Sequence, residues 1–183
     1  NDVTVMSIFV NPTQFNNSED LDKYPRTLER DVQIMQDLSS NIIVYAPEVA
    51  DIYEGNTISE SFNYDGLENQ MEGKHRPGHF DGVGTIVKRL FEIIQPNKAY
   101  FGEKDFQQLQ IVKKLVSKHK LPVQIIGCAI FREKSGLAMS SRNERLSESA
   151  REKAAIIYQI LNSAKEIFQM ISAEQTIKFV ENE

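Results

Sequence analysis

The 183-residue sequence has little cysteine, no long apolar run and no excess of positive charge, and each shortage excludes a class of protein. A single cysteine, Cys128, rules out a framework of internal disulfides and is typical of a reducing compartment. No apolar run approaches the roughly 20 residues that a membrane-spanning helix needs. The formal net charge of -5 argues against a broad nucleic-acid surface, although a small basic pocket for a phosphorylated ligand stays compatible with it. We therefore expect a cytoplasmic protein that binds neither nucleic acid nor a membrane.

The remaining composition is that of a globular protein, with 40% hydrophobic and 26% charged residues. Both ends are unusual. The chain begins at Asn1 and enters an apolar stretch at Val3 without the layout of a signal peptide. Ser172 and Gln175 form the pattern of a capping box, which predicts a helix of only about three turns before Glu183. We expect the chain to be a fragment of a longer protein.

Apolar stretches of strand length alternate with segments of helical periodicity in the first two thirds of the sequence. The predicted strands are 3–10, 42–45, a weak one at 59–64, 99–101 and 123–129, the last with Cys128 as a small core residue. The predicted helices begin at Thr27, near Asp81 and near Lys104. This order predicts an α/β fold with a doubly wound parallel sheet and right-handed crossovers.

From about Phe131 the pattern changes to a polar loop and one long predicted helix, 148–170, capped by Ser147. We therefore divide the chain into residues 1–130, the sheet domain, and residues 131–183, the start of a smaller carboxyl-terminal domain.

Asn11 and Gln14 follow the first predicted strand directly. Ligands of open α/β sheets bind at the carboxyl edge of the strands, and side-chain amides recognise a hydroxyl or a carboxylate without adding charge. An ordinary strand-to-loop turn, helped by Pro12, is the alternative.

Lys104 follows Gly102 at the end of a predicted strand and opens a helix, so that its ammonium and free backbone N–H groups would converge on an anion. Gln107 and Gln108 add paired amides at the same edge. The alternative is a solvated helix start with Asp105 as a favourable acid of the first turn.

Two further clusters are polar turns. Arg76 and His79 bracket a Pro-Gly turn at the start of a predicted helix, and the alternative is a plain surface turn. No metal site is indicated, since the histidines lack companion ligands at a suitable spacing. The segment Met139–Arg142 offers Ser140 and Ser141 hydroxyls and a guanidinium to phosphate oxygens, with a plain loop as the alternative.

Taken jointly, these strings resemble the pantothenate synthetase (pantoate-beta-alanine ligase) family from Val5 to about Leu146. The strings that carry the resemblance are SIFVNPTQF, YPRT, LENQMEG, RPGHFDGV, YFGEKDFQQL and GLAMSSRN. The family joins pantoate to beta-alanine using ATP and Mg²⁺ through a pantoyl-adenylate, and it is typically a homodimer. The resemblance also implies a Rossmann-like fold of the nucleotidylyltransferase superfamily.

The resemblance implies three sets of site residues. The expected pantoate ligands are Asn11, Gln14 and Gln108, with Arg76 and His79 as a wall of the site. The expected ATP-binding residues are Gly102, Lys104, Asp105, Met139, Ser140, Ser141 and Arg142. Lys104, Ser140 and Arg142 are the expected catalytic residues.

One family signature, His-x-Gly-His, does not occur in the sequence, whose histidines are His75, His79 and His119. Because that signature contacts ATP phosphates, we expect this chain by itself to be weakly active or inactive. Two other hypotheses stay open: a related nucleotidylyltransferase that activates another acid, and a non-catalytic binding fragment. The sequence does not identify which residues would bind Mg²⁺.

Overall fold

The computed structural model of the protein describes residues 2–39 and 41–183. The chain forms two compact units, residues 1–128 and residues 129–183. Within the described residues, every helix is too short or too polar to cross a membrane.

The first unit contains two pairs of parallel strands. The strands are β1 (Thr4–Ser7), β2 (Ile42–Tyr45), β3 (Lys98–Gly102) and β4 (Gln124–Cys128). β1 pairs with β2, with Thr4 opposite Ile42, and β3 pairs with β4, with Gly102 opposite Cys128. Helices alternate with these strands, so the predicted α/β class with parallel strands is confirmed. In the described part of the chain the two pairs are separate two-stranded sheets and do not share a ladder.

Among the described residues of the first unit, six helices connect and cover these strands. They are α1 (Ser18–Asp22), α2 (Leu28–Leu38), α3 (Val49–Tyr53), α4 (Met71–His75), α5 (His79–Ile94) and α6 (Phe106–His119). The core lies where α5 and α6 pack on each other, and the predicted apolar positions Val83, Ile86, Val112 and Leu115 are buried there as expected.

Two predicted strands differ from the structure. The stretch 3–10 was expected to be a buried strand, but β1 covers only Thr4–Ser7 and leaves Val3 73% exposed, because a single four-residue neighbour covers little of its surface. The weak strand at 59–64 is absent. The backbone N–H groups of Glu60 and Phe62 are bonded by side chains of α5, Thr85 Oγ1 and Asp81 Oδ1, and not by a ladder.

Three smaller expectations are also corrected. Cys128 is exposed, and not a core residue, because it ends β4 at the rim of a two-stranded sheet. The helix expected to open at Lys104 begins at Phe106, after a 3₁₀ turn Glu103–Asp105. Thr27 occupies the predicted cap position of α2, but its hydroxyl donates to Asp31 and accepts no backbone N–H.

The second unit consists of a turn-rich segment followed by three helices. Arg132 and Ala138 form an antiparallel bridge, and a 3₁₀ turn follows at Ser141–Arg145. The single helix predicted for 148–170 is divided at Ala155, whereas the predicted Ser147 cap and the capping box at Ser172 are confirmed. The helices are α7 (Glu148–Ala154), α8 (Ile156–Ile167) and α9 (Ala173–Asn182).

Candidate functional site

Asn11 lies beyond the end of β1 and is only 2% exposed. Its Nδ2 donates to the carbonyl oxygen of Gly82 at 3.0 Å, and its Oδ1 accepts from the Tyr53 hydroxyl at 2.5 Å and from Thr13 Oγ1 at 3.2 Å. Burial raises the pKa of Tyr53, so that its hydroxyl stays a neutral donor. The Asn11 amide therefore fixes the turn that carries Gln14, and direct contact between Asn11 and a ligand stays a prediction.

The 3₁₀ turn Pro12–Gln14 packs directly on the first turn of α5 at Gly82. A Cβ atom at Gly82 would lie 2.5 Å from the carbonyl oxygen of Thr13, which is closer than real Cβ contacts. Only glycine allows this approach. The position of Gln14 is thus set by backbone-to-backbone packing.

The backbone carbonyl of Gln14 is held by both residues of the predicted wall. Arg76 Nη2 donates to this oxygen at 2.8 Å, and His79 Nδ1 lies 2.9 Å from it. Since a carbonyl oxygen only accepts, the proton of the neutral His79 ring sits on Nδ1. Arg76 and His79 therefore join the turn behind β1 to the start of α5.

His79 is buried, and burial lowers its pKa below the ordinary value. The hydrogen bond to Gln14 opposes this shift, and the Arg76 charge reinforces it. The carboxylates of Glu72 and Asp105 act in the opposite direction and raise the pKa of His79. At neutral pH the ring is uncharged.

Gly102 ends β3, and Lys104 lies in the following 3₁₀ turn, where its Nζ is 2.9 Å from Asp105 Oδ1. The Lys104 side chain is 38% exposed, so the pair is open to solvent and contributes little to stability. The ammonium therefore lies just beyond the carboxyl end of a parallel strand, and its contact with an anionic ligand stays a prediction.

The two amides of α6 have different environments. Gln107 is 8% exposed and bonds to the carbonyl oxygens of Leu67 and Gln70 and to the Glu72 N–H. Gln108 is half-buried. Within residues 2–39 and 41–183, the side-chain amides of Gln108 and of the half-buried Gln14 make no hydrogen bond. The four predicted amides thus divide into two that hold the fold and two that are available to a ligand.

The remaining predicted residues belong to the second unit. Met139 is 50% exposed, and Ser140 caps the 3₁₀ turn by accepting from the backbone N–H of Arg142. Ser141 and Arg142 form the first residues of that turn. The segment is an exposed turn rich in donors, which fits phosphate binding.

Sequence reasoning missed the side chain that anchors this turn. Asn143 is 9% exposed, and its Nδ2 donates to Ala138 O and to Glu133 Oε1, both at 3.0 Å. Arg151 donates from Nε to Glu133 Oε2 at 3.0 Å and from Nη2 to Glu133 Oε1 at 2.8 Å, and these bonds lower the pKa of the Glu133 carboxyl. Asn143 stands inside GLAMSSRN, but nothing in its spacing marks it as buried.

Among the described residues, no group of three His, Cys, Asp or Glu side chains is arranged to hold a metal ion.

The arrangement in the first unit supplies available amides, a neutral imidazole and an accessible ammonium. Such groups bind a small hydroxylated acid next to a phosphorylated ligand, and none of them is a strong general base. This chemistry suits positioning and charge stabilisation.

Comparison with known proteins gives the same family along the whole chain. The family model described as pantoate-beta-alanine ligase matches residues 1–183. A pantothenate synthetase of Flavobacterium psychrophilum is 67% identical over 98% of this chain, and one of Christiangramia forsetii is 55% identical over all of it. The chain spans 64% of the length of each relative.

Solved structures agree with this result. A pantothenate synthetase from Thermus thermophilus superposes with a TM-score of 0.90 at 41% identity, covering 97% of this chain and 64% of that one. A pantoate-beta-alanine ligase from Francisella tularensis, complexed with beta-gamma ATP and beta-alanine, has a TM-score of 0.82 at 43% identity, covering 88% of this chain and 62% of that one. The chain belongs to the pantoate-beta-alanine ligase family.

Proposed function

We propose that the protein to which this chain belongs condenses pantoate with beta-alanine at the expense of ATP, through a pantoyl-adenylate. Family membership supports the reaction, and one observation in the described residues carries it: the side-chain amides of Gln14 and Gln108, two of the predicted pantoate ligands, are half-buried and make no hydrogen bond there. The ligands of the Francisella tularensis structure, beta-gamma ATP and beta-alanine, match two of the proposed substrates.

Gln14 and Gln108 are the proposed pantoate ligands, because an amide donates to a carboxylate and accepts from a hydroxyl. Asn11 holds the turn of Gln14, and its direct contact with pantoate is a further part of this proposal. Arg76 and His79 act as the wall that fixes the Gln14 carbonyl.

The proposed ATP-binding residues of the first unit lie at or just after the end of β3, and those of the second unit lie in or beside its 3₁₀ turn. Lys104 and Arg142 supply positive charge to phosphate oxygens, and Ser140 and Ser141 supply hydroxyl donors. Gly102, Asp105 and Met139 complete the proposed nucleotide-binding set. Mg²⁺ would enter with the phosphates and supply further positive charge.

In the first step the pantoate carboxylate attacks the α-phosphorus, and pyrophosphate leaves. The carboxylate is already ionised, so this step needs no general base, and stabilisation of charge on phosphate oxygens dominates. In the second step the beta-alanine amine attacks the acyl carbon and AMP leaves. Proximity and exclusion of water carry much of that acceleration, since the adenylate is already activated.

The test is a screen of pyrophosphate release by the complete gene product with ATP and a panel of small hydroxy acids. Release that depends on pantoate supports the proposal, and release that depends on another acid favours a related nucleotidylyltransferase. Binding of pantoate and ATP without release would identify a non-catalytic binding protein. Sedimentation of the same sample tests the expected homodimer, and cell fractionation tests the expected cytoplasmic location.

A further inference from the structure

Gln107 precedes the proposed pantoate ligand Gln108 but faces the protein. Its Nε2 donates to the carbonyl oxygens of Leu67 at 2.8 Å and Gln70 at 2.7 Å, and its Oε1 accepts from the Glu72 N–H at 2.9 Å. Both amide hydrogens and the oxygen are used, so the partners fix the orientation of the group. Helix α6 is thereby fastened to the segment 67–72.

The segment 67–72, which Gln107 holds, leads directly to Arg76 in the wall of the site. The Glu72 carboxylate pairs with the Arg76 guanidinium one turn later, and Arg76 donates to the Gln14 carbonyl at 2.8 Å. A continuous series of contacts therefore runs from Gln107 through Glu72 and Arg76 to Gln14.

The segment 67–76 is packed tightly enough to transmit a displacement. A Cβ atom at Gly73 would lie 2.1 Å from the carbonyl oxygen of Glu68, so α4 rests directly on the preceding 3₁₀ turn Leu67–Asn69. Close backbone packing of this kind moves as a unit and does not deform locally.

We propose that Gln107 is a positioning residue for the acid substrate, which sets the spacing between Gln14 and Gln108. This inference rests on the proposed function, since it takes those two amides as the pantoate ligands. Neighbouring residues of a helix point about 100° apart, so Gln108 can bind the substrate while Gln107 holds the segment 67–72. Without Gln107 the segment 67–76 shifts, and the two ligand amides lose their common geometry.

The test compares Gln107→Met with Thr85→Val. Methionine keeps the length of the side chain without its hydrogen bonds. Thr85 is a matched control, because it is buried and its hydroxyl bonds to Asp81 O at 2.7 Å and Glu60 N at 2.8 Å, outside the series of contacts to Gln14. Both variants should lower the melting temperature.

In the complete gene product, Gln107→Met should raise the pantoate KM about tenfold or more, with the ATP KM changed less than about threefold. Thr85→Val should leave both constants within about twofold of the natural values, because it removes no contact of the site. A Gln107→Met protein with lowered melting temperature and natural pantoate KM would overturn the positioning role.

If the Gln107→Met variant does not fold, Gln107→Glu replaces it. The ratio of its pantoate KM to that of the natural protein should fall from pH 8 to pH 6, because protonation of the introduced carboxylate restores one hydrogen-bond donor. A ratio that does not change with pH would overturn the positioning role of Gln107.

A readout without substrate separates this inference from the proposed function. In nitrogen-15 NMR spectra of the chain, Gln107→Met should shift the signals of the Arg76 guanidinium and the Gln14 amide, whereas Thr85→Val should not. If the natural protein does not use pantoate, the proposed function fails, and shifted Arg76 and Gln14 signals would still establish the coupling. Unshifted signals would overturn it.

Discussion

Arg76 and Gln14, 62 residues apart in the sequence, are joined by a hydrogen bond of 2.8 Å from the guanidinium Nη2 to the backbone carbonyl oxygen. His79 Nδ1 lies 2.9 Å from the same oxygen. Arg76 and His79, which flank Pro77-Gly78, thus contact the same carbonyl oxygen. They hold the 3₁₀ turn Pro12–Gln14 against α5. The Gln14 amide is left with its polar atoms available.

The neutral state of His79 predicts a loss of stability in mild acid. Because burial lowers its pKa, the unfolded chain binds a proton at a higher pH than the folded chain does. The contribution of His79 to the free energy of unfolding is therefore fully present above the ordinary histidine pKa of about 6.5. It decreases as the pH falls below that value. Melting temperatures measured between pH 7.5 and pH 5.5 should fall less steeply for His79→Gln than for the natural chain. Equal slopes would show that His79 is not the titrating group.

The close approach at Gly82 predicts a change in the site as well as in stability. A Cβ at Gly82 meets the Thr13 carbonyl oxygen at 2.5 Å, whereas one at Gly84 meets the Tyr64 hydroxyl at 2.0 Å, away from Gln14. Gly82→Ala and Gly84→Ala should each cost about 1–3 kcal/mol of unfolding free energy, as overpacked sites do.

Only Gly82→Ala should also weaken pantoate binding, because only it displaces the turn of Gln14. Calorimetric titration of both variants with pantoate makes the comparison. If Gly84→Ala weakens binding as much as Gly82→Ala, the effect is general destabilisation and not displacement of Gln14.

Much of the first unit could be predicted from periodicity. The apolar positions of α5 and α6 repeat at helical spacing over several turns, and Val83 and Val112 are buried as that spacing requires. Residues 59–64 could not be assigned correctly, because their backbone partners are the side chains of Thr85 and Asp81, more than 18 residues away. Tertiary contacts of this kind leave no local pattern.

The sequence could name the candidate side chains, but not which of them already have hydrogen-bond partners within the protein. Asn11 and Gln14 have the same chemistry, as do Gln107 and Gln108, and only burial shows which amide of each pair is already bonded. Asn143 was missed for the same reason, since its role depends on Glu133 lying beside it in space.

Asn143 should control the turn that carries Ser140 and Arg142. Asn143→Ala removes the donor to the Ala138 carbonyl and to Glu133, which should cost about 1–3 kcal/mol of unfolding free energy. The ATP KM should rise, because the proposed phosphate-binding turn loses its anchor. Ser147→Ala is the control, since it removes the α7 cap in the same unit at a cost of about 1 kcal/mol without touching that turn. Equal ATP KM values in both variants would exclude an anchoring role.

Lys104→Ala should slow adenylate formation by about 10²-fold or more, corresponding to roughly 2.7 kcal/mol of transition-state stabilisation. Pantoate binding should suffer much less, whereas Gln108→Ala should mainly raise the pantoate KM. Single-turnover adenylation in the complete gene product measures the effect. Lys178→Ala, which removes an equal charge from an exposed ion pair of α9, is the control. A small loss of stability with unaltered adenylation would assign Lys104 to the helix start alone.

The central claim, that pantoate is activated as an adenylate, is tested most directly by oxygen transfer. The complete gene product is given ATP, beta-alanine and pantoate labelled with oxygen-18 in its carboxylate, and the AMP is analysed by mass spectrometry. Attack of the carboxylate on the α-phosphorus, followed by cleavage at the acyl carbon, leaves one pantoate oxygen in each AMP. We expect singly labelled AMP formed in step with pantothenate. Unlabelled AMP, or ADP in its place, would contradict the account.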